Sequence, residues 1–357
     1  MEQSEHHNPH QVQLQILTTS PIAIAAATAT VSEKALLWKT LSEPTTDASA
    51  LRPVLRRLPS AAFVLLWSLA FLTLVALCLL YAVRCLFRFG SVRAELRHHV
   101  GMNYLFAPWI SWLLLLQSTP FLHPKTTCYL LLWCVFSIPI LALDLKIYGQ
   151  WLTRGKQFLS MVANPTSQIT VIGNLVGARA AALMGWKESA LFMFSLGVTH
   201  YLVLFVTLYQ RLQGSDSLPA MLRPVFFLFF AAPSMASLAW DSISSTFDIS
   251  CKMLFFLSLF LFASLVSRPA LFRRSMRHFS VAWWAYSFPL TVLALAATEY
   301  AQEVKAAAAN LLMLVLSVLS VLVTLALMVL TVIRTGDLLP RDDPFVCATS
   351  AAGGATR

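Results

Sequence analysis

Ionisable side chains set inside or beside long apolar runs are the places in this sequence where chemistry would have to happen. Asp144 and Lys146 stand two residues apart at the end of one such run. Helix neighbours face each other at spacings of three and four, so these two form no intrahelical ion pair, and Lys146 is expected to snorkel toward the membrane surface. His200 falls in the middle of a run, where a hydrogen bond to a neighbouring helix suits it better than proton transfer. Arg179 and Lys187 bracket the end of another run and read as interfacial. Trp283 and Trp284 read as anchors or packing residues. Asp241, closing a further run, is the nearest candidate for a proton-coupling carboxylate. Glu33 and Lys34 end an Ala/Thr-rich stretch.

None of this amounts to a catalytic constellation. The cysteines (Cys78, Cys85, Cys128, Cys134, Cys251 and Cys347) are scattered, with no CxxC or Cys/His spacing for a metal and no disulfide framework. No nucleophile motif or phosphate loop occurs in a plausible context, so neither an enzyme nor a cofactor is expected. The net charge of +10 is no sign of nucleic-acid binding, because the basic residues cluster at the ends of apolar runs, where they set topology and meet anionic headgroups.

Those runs dominate the chain. Hydrophobic residues make up 58% of it and charged residues only 12%, against about 25% charged in an average soluble domain. Surface this apolar has to face lipid. The continuous runs, without alternation, exclude a β-barrel and predict an all-α integral membrane protein. Ten spans are expected, at about 11–32, 58–83, 102–124, 126–143, 158–178, 189–210, 224–240, 249–267, 279–298 and 306–333. They form one transmembrane domain (11–334) between short tails at 1–10 and 335–357. Sixteen of the 26 Lys and Arg residues fall on the C-terminal tail's side of the membrane, which puts both tails in the cytosol. Arg56 and Arg57 run against that rule.

Proline placement is regular. Pro21, Pro108, Pro165, Pro233 and Pro289 fall in the odd-numbered spans, and of the even-numbered spans only the fourth carries one in its interior, Pro139. Proline frees a backbone group, and inside a bilayer that group has to be satisfied by protein or a water-filled cavity. Kinked spans alternating with straighter ones predict five helical hairpins with the kinked members inside.

The residues at these prolines carry a resemblance. Phe106-Ala-Pro-Trp109, Leu145-Lys-Ile-Tyr-Gly-Gln-Trp151, Val162-Ala-Asn-Pro-Thr-Ser167, Ile172-Gly-Asn-Leu-Val-Gly177, His200-Tyr-Leu-Val203, Leu208-Tyr-Gln-Arg211 and Phe279-Ser-Val-Ala-Trp-Trp284 occur in order over about residues 60–333. Together they resemble the plant slow-type (S-type) anion channels, within the wider tellurite-resistance/dicarboxylate transporter family. The resemblance implies five quasi-symmetric hairpins around a pore lined by the odd helices, and a homotrimer in the plasma membrane with one pore per protomer. It implies chloride, nitrate or similar anions as the permeating species. It also implies that a phenylalanine directly before the ninth-span proline occludes the pore; here that is Phe288. A second gate position, six residues after the third-span proline and commonly aromatic in the family, is Leu114. The first span departs from the family pattern, and the short tails place the chain with the short-tailed branch, some members of which act as partner subunits in heteromers.

Two sources of anion attraction follow. Broken helices expose N–H groups and half-helix dipoles, and these favour negative charge without holding it tightly. Arg84, Arg88, Arg93 and Arg97, with Arg273, Arg274 and Arg277, lie in loops expected at the cytosolic mouth. Besides a passive channel, a secondary carrier of organic or monovalent anions and a non-conducting regulatory subunit are compatible with the sequence.

Overall fold

The computed structural model describes residues 21–42, 60–87, 89–90, 92–93, 99–162, 165–212, 220–272, 279 and 281–334. Both tails lie outside these residues, as do Arg88, Arg97, Arg273, Arg274 and Arg277. Among the described residues there is no strand, and eleven α-helices carry the fold. They are α1 (Pro21–Ser42), α2 (Ser60–Phe87), α3 (His99–Tyr104), α4 (Phe106–Ser118), α5 (Thr127–Val162) and α6 (Gln168–Leu183), followed by α7 (Lys187–Leu212), α8 (Leu228–Ser244), α9 (Ile249–Val266), α10 (Ser287–Val304) and α11 (Ala307–Ile333). Short 3-10 turns precede α6 (Pro165–Ser167), α8 (Ala220–Phe227) and α10 (Val281–Tyr286).

Two kinds of helix are distinguishable by what they bury. Six segments are long and apolar enough to cross a membrane, among them Ala61–Phe87 and Ile249–Val266, each only 17% buried, and Arg223–Ser244, 83% buried. Low burial in α2 and α9 leaves apolar side chains such as Leu65, Leu72, Leu79 and Phe260 on the outside, where lipid replaces water as the solvent. At about 1.5 Å per residue the 27 residues of α11 reach roughly 40 Å, more than the ~30 Å hydrocarbon core.

The buried helices are each other's neighbours. α1 packs on α4, α4 on α6, α6 on α8, α8 on α10 and α10 back on α1, so five helices close a ring. Each of the other long helices packs chiefly on one ring member: α2 on α1, α5 on α4, α7 on α6, α9 on α8 and α11 on α10. Three of the tight connections turn through a left-handed residue. Gly185 (φ 86°) ends α6 and gives its amide to Ala182, while Ser245 (φ 62°) ends α8 and Lys305 (φ 54°) ends α10. Reversing the chain within a few residues takes this cap, because it satisfies the last carbonyls as it turns.

Several span boundaries differ from the sequence expectation, three of them by the widest margins. The first helix runs to Ser42 rather than stopping near residue 32, so Glu33 and Lys34 sit inside it. Nothing in Ala35-Leu36-Leu37-Trp38 breaks a helix, and interior packing hides the two charges instead of ending the span at them. The fourth expected span continues to Val162, which makes Asp144 and Lys146 mid-helix residues of α5 rather than end residues. The fifth begins only at Pro165.

Candidate functional site

The prolines of the ring mark where helix type changes. Pro108 is the third residue of α4, just past a break at Leu105, whose amide donates to Met102 O at 3.2 Å. Pro165 opens the 3-10 turn leading into α6, and Pro289 is the third residue of α10 after the Val281–Tyr286 turn. Proline is tolerated in the first turn, where its missing N–H has no partner to lose. The residues just before α4, α6, α8 and α10 are themselves helical and carry no side-chain cap, so each junction tightens the helix without freeing an end. Pro21 opens α1, and its side chain lies outside the described set.

Pro233 is the exception, lying inside α8. It removes the N–H that would bond Phe229 O four residues back. The Tyr201 hydroxyl, from α7, donates to that carbonyl at 3.3 Å, and Ser258, from α9, donates to Phe230 O at 2.6 Å. Outer helices thus supply what the kink takes away, as an interior without water requires.

Phe288 is the second residue of α10 and is buried. At the turns ahead of α8 and α10 the aromatics are knitted together: Phe227 meets Tyr286 edge-on with ring centroids 4.8 Å apart, and Phe272 and Phe230 at 5.3 and 5.5 Å. Phe288 joins none of the ring contacts among the described residues. Leu114 is fully buried on α4, and α4 and α10 both flank α1.

A polar seam runs beside Phe288. Ser287 and Thr324 share a hydroxyl hydrogen bond, Ser320 donates to Thr291 Oγ1 at 3.1 Å, and the Lys34 ammonium donates to Ser320. Elsewhere the ring is stitched by Thr28 to Ser111 at 3.3 Å, Gln117 to Val176 O at 3.1 Å, and Asn103 to Thr166 and Ser167 at 3.0 Å each.

The structure corrects several charge assignments. Glu33 and Lys34 are buried rather than terminal, and Arg179 is buried rather than interfacial. Asp144 is buried against Asn174, whose amide donates to its Oδ2 at 2.8 Å. His200 makes no hydrogen bond to another helix: both ring nitrogens lack a partner, and the ring lies edge-on to Tyr148 and Trp151 with centroids 5.2 and 4.8 Å apart. Edge-on packing against two rings takes the place of the expected bond. Asp241 is half-buried at the end of α8, Trp284 packs beside Leu327, and Arg93 is exposed. Among the described residues no group of three or more His, Cys, Asp or Glu could hold a metal.

Sequence reasoning missed the burial of Glu33, Lys34 and Arg179 because a charge beside an apolar run ordinarily marks its end. The signal available was local: Arg179 is followed by Ala-Ala-Ala-Leu, and Lys34 by Ala-Leu-Leu-Trp, with no Gly or Pro in the turn after either charge.

Residues 19–332 match a family described as voltage-dependent anion channel (SLAC1). The S-type anion channel SLAH1 of Arabidopsis thaliana is 57% identical over 316 residues, covering 88% of this chain and 82% of that protein. SLAH4 from the same plant is 54% identical, covering 87% and 82%. The guard cell S-type anion channel SLAC1 is 41% identical over 87% of this chain and 54% of its own length.

Proposed function

Because the chain belongs to the SLAC1 family of voltage-dependent anion channels, we propose that it is a slow-type channel passing small monovalent anions such as chloride and nitrate, closed at rest by Phe288. The observation that carries this reading is the closed ring α1–α4–α6–α8–α10, with a buried phenyl that has no aromatic partner sitting one residue before Pro289. A ring of helices offers a central path. A phenyl free of neighbouring rings can block such a path sterically and by dewetting, and can also leave it.

The ring and its outer helices form five hairpins in this reading, with Leu114 a second, smaller obstruction on α4. Pro233 kinks one lining helix, Pro21, Pro108, Pro165 and Pro289 stand at or near the starts of the others rather than kinking them as expected, and Arg93, Arg97, Arg273, Arg274 and Arg277 draw anions to a cytosolic mouth. Both tails face the cytosol of a plasma-membrane protein, supported by the uneven Lys and Arg distribution. Assembly as a homotrimer, or with related subunits, is carried over from the family.

Reversal potentials under chloride and nitrate gradients, with and without a pH gradient, test the function. A channel follows the anion gradient alone. Coupling to the pH gradient makes the protein a carrier, and silence alone with altered currents on co-expression with a related channel makes it a regulatory subunit.

A further inference from the structure

Helix α11 turns apolar side chains such as Leu311, Leu322 and Val329 outward, while Ser317, Ser320 and Thr324 share one buried stripe with Met313, Leu316 and Leu327. A buried hydroxyl on a membrane helix bonds to its own backbone or across to a neighbouring helix. Thr324 does both. It donates to Ser320 O, one turn back, at 2.8 Å, and it shares a hydrogen bond with Ser287, the first residue of α10.

A hydroxyl carries one proton, and that fixes the direction of the second bond. The Thr324 proton is spent on Ser320 O, so Ser287 donates and Thr324 accepts. The Ser287 carbonyl is held as well. It accepts from the Thr291 hydroxyl at 2.9 Å, and Thr291 accepts from Ser320 at 3.1 Å. Ser287 is thus tied to α11 directly through its side chain and, by way of Thr291 and Ser320, through its main chain.

A second contact with α11 lies at the same junction, where Trp284 packs on Leu327, three residues beyond Thr324. The two contacts do different things. Apolar packing tolerates sliding, whereas a hydrogen bond weakens steeply with a small change in distance or angle. The place where the Val281–Tyr286 turn becomes α10 is therefore kept in register by Ser287 and Thr324, and Phe288 is the next residue.

We propose that Thr324 is a positioning residue for the gate: by accepting from Ser287 it holds the first turn of α10 in the register that keeps the Phe288 phenyl across the path. This deepens the channel reading above and rests on it. Breaking the bond removes stabilisation specific to the closed arrangement, so the population moves toward the open one.

The test is the basal anion current of the full chain, compared at matched surface expression. Thr324→Val, which keeps the branched shape without the hydroxyl, and Ser287→Ala each raise it roughly fivefold, the factor one hydrogen bond corresponds to. The double variant rises no further than either alone, because both substitutions remove the same bond. Thr324→Ser keeps the hydroxyl and stays at the parent's level. So does Ser317→Ala, which removes a hydroxyl of the same buried stripe that has no hydrogen-bond partner. In a Phe288→Ala background Thr324→Val adds nothing, since no phenyl is left to position.

The proposal is overturned, and the gate kept, if Phe288→Ala raises the current while Thr324→Val and Ser287→Ala reach the surface and stay at the parent's level. It is also overturned if Thr324→Ser or Ser317→Ala acts as Thr324→Val does, or if Thr324→Val still raises the current without the phenyl. An unchanged current in Phe288→Ala removes the gate itself, and the positioning role with it. Should Thr324→Val not reach the surface, Ser287→Ala tests the same bond from its other end; loss of both from the surface means that the bond holds the fold rather than the gate.

Discussion

Lys34 on α1 donates its ammonium proton to the hydroxyl of Ser320 on α11, joining the first described helix to the last. Ser320 passes a hydrogen bond to Thr291, and Thr291 donates to the carbonyl of Ser287 at 2.9 Å. Ser287 directly precedes Phe288. The packing of the first helix is therefore wired, through three side chains, to the turn that carries the proposed gate.

Ser320→Ala leaves the buried Lys34 ammonium without its acceptor. Hydrogen bonds to charged groups contribute about 1.5–3 kcal/mol, and that loss should appear as a lower melting temperature of the purified protein. Thr73→Ala, which removes an exposed hydroxyl bonded only to Leu69 O of its own helix, should change it by less than about 0.5 kcal/mol. Equal effects from the two substitutions would contradict the role given to Ser320.

The Asp144–Asn174 contact predicts an asymmetry. Asn174→Leu strands a buried carboxylate and should destabilise by more than about 2 kcal/mol. Asp144→Asn keeps an oxygen that can accept the same bond and removes the buried charge, so it should be close to neutral. Thermal scans of both variants decide it; comparable losses would mean that the charge itself is needed.

Gly197 of α7 packs closely against α6. A Cβ added there would lie 3.1 Å from Leu175 Cγ and 3.2 Å from Asn174 Cβ. Leu175 is nearly inaccessible and has little room to retreat. Gly197→Ala is expected to cost about 1–3 kcal/mol, measured as a fall in melting temperature, whereas Gly149→Ala meets nothing within 4 Å and should be neutral or slightly stabilising.

Asp248 caps α9, accepting from the Cys251 amide at 3.0 Å and the Trp240 indole N–H at 3.0 Å. Partial desolvation works against its ionisation, but these bonds outweigh it and hold the carboxyl below its ordinary value of 3.8. With the folded value depressed, the cap's contribution is present above about pH 4 and is lost as acidification passes through the folded value. Asp248→Ala should cost about 1 kcal/mol at neutral pH, with the gap to the parent narrowing on acidification. A constant gap down to pH 3 would show that the cap's charge is irrelevant.

Much of the helical framework was legible because apolar run length is set by bilayer thickness. The second, sixth, eighth and tenth spans, facing lipid, were clear for that reason, whereas the fourth runs well past its expected end. The ring helices were harder to delimit. Their turns at Leu105, Pro165–Ser167 and Val281–Tyr286 change helix type without changing hydropathy, and Glu33 and Lys34 imitate a span end. Which polar residues meet was not legible at all. Tyr201 reaching Phe229 O, or Lys34 reaching Ser320, pairs residues far apart in sequence, and only the ring's closure brings them together.

The occlusion by Phe288 is tested most directly by recording anion current from Phe288→Ala beside the parent at matched surface expression. Removing the phenyl removes the proposed block at the start of α10, so basal current should rise several-fold and depend less on activation. Leu114→Ala should act in the same direction but more weakly, its side chain being the smaller obstruction. If Phe288→Ala reaches the surface normally and its basal current stays at the parent's level, Phe288 does not close the pore.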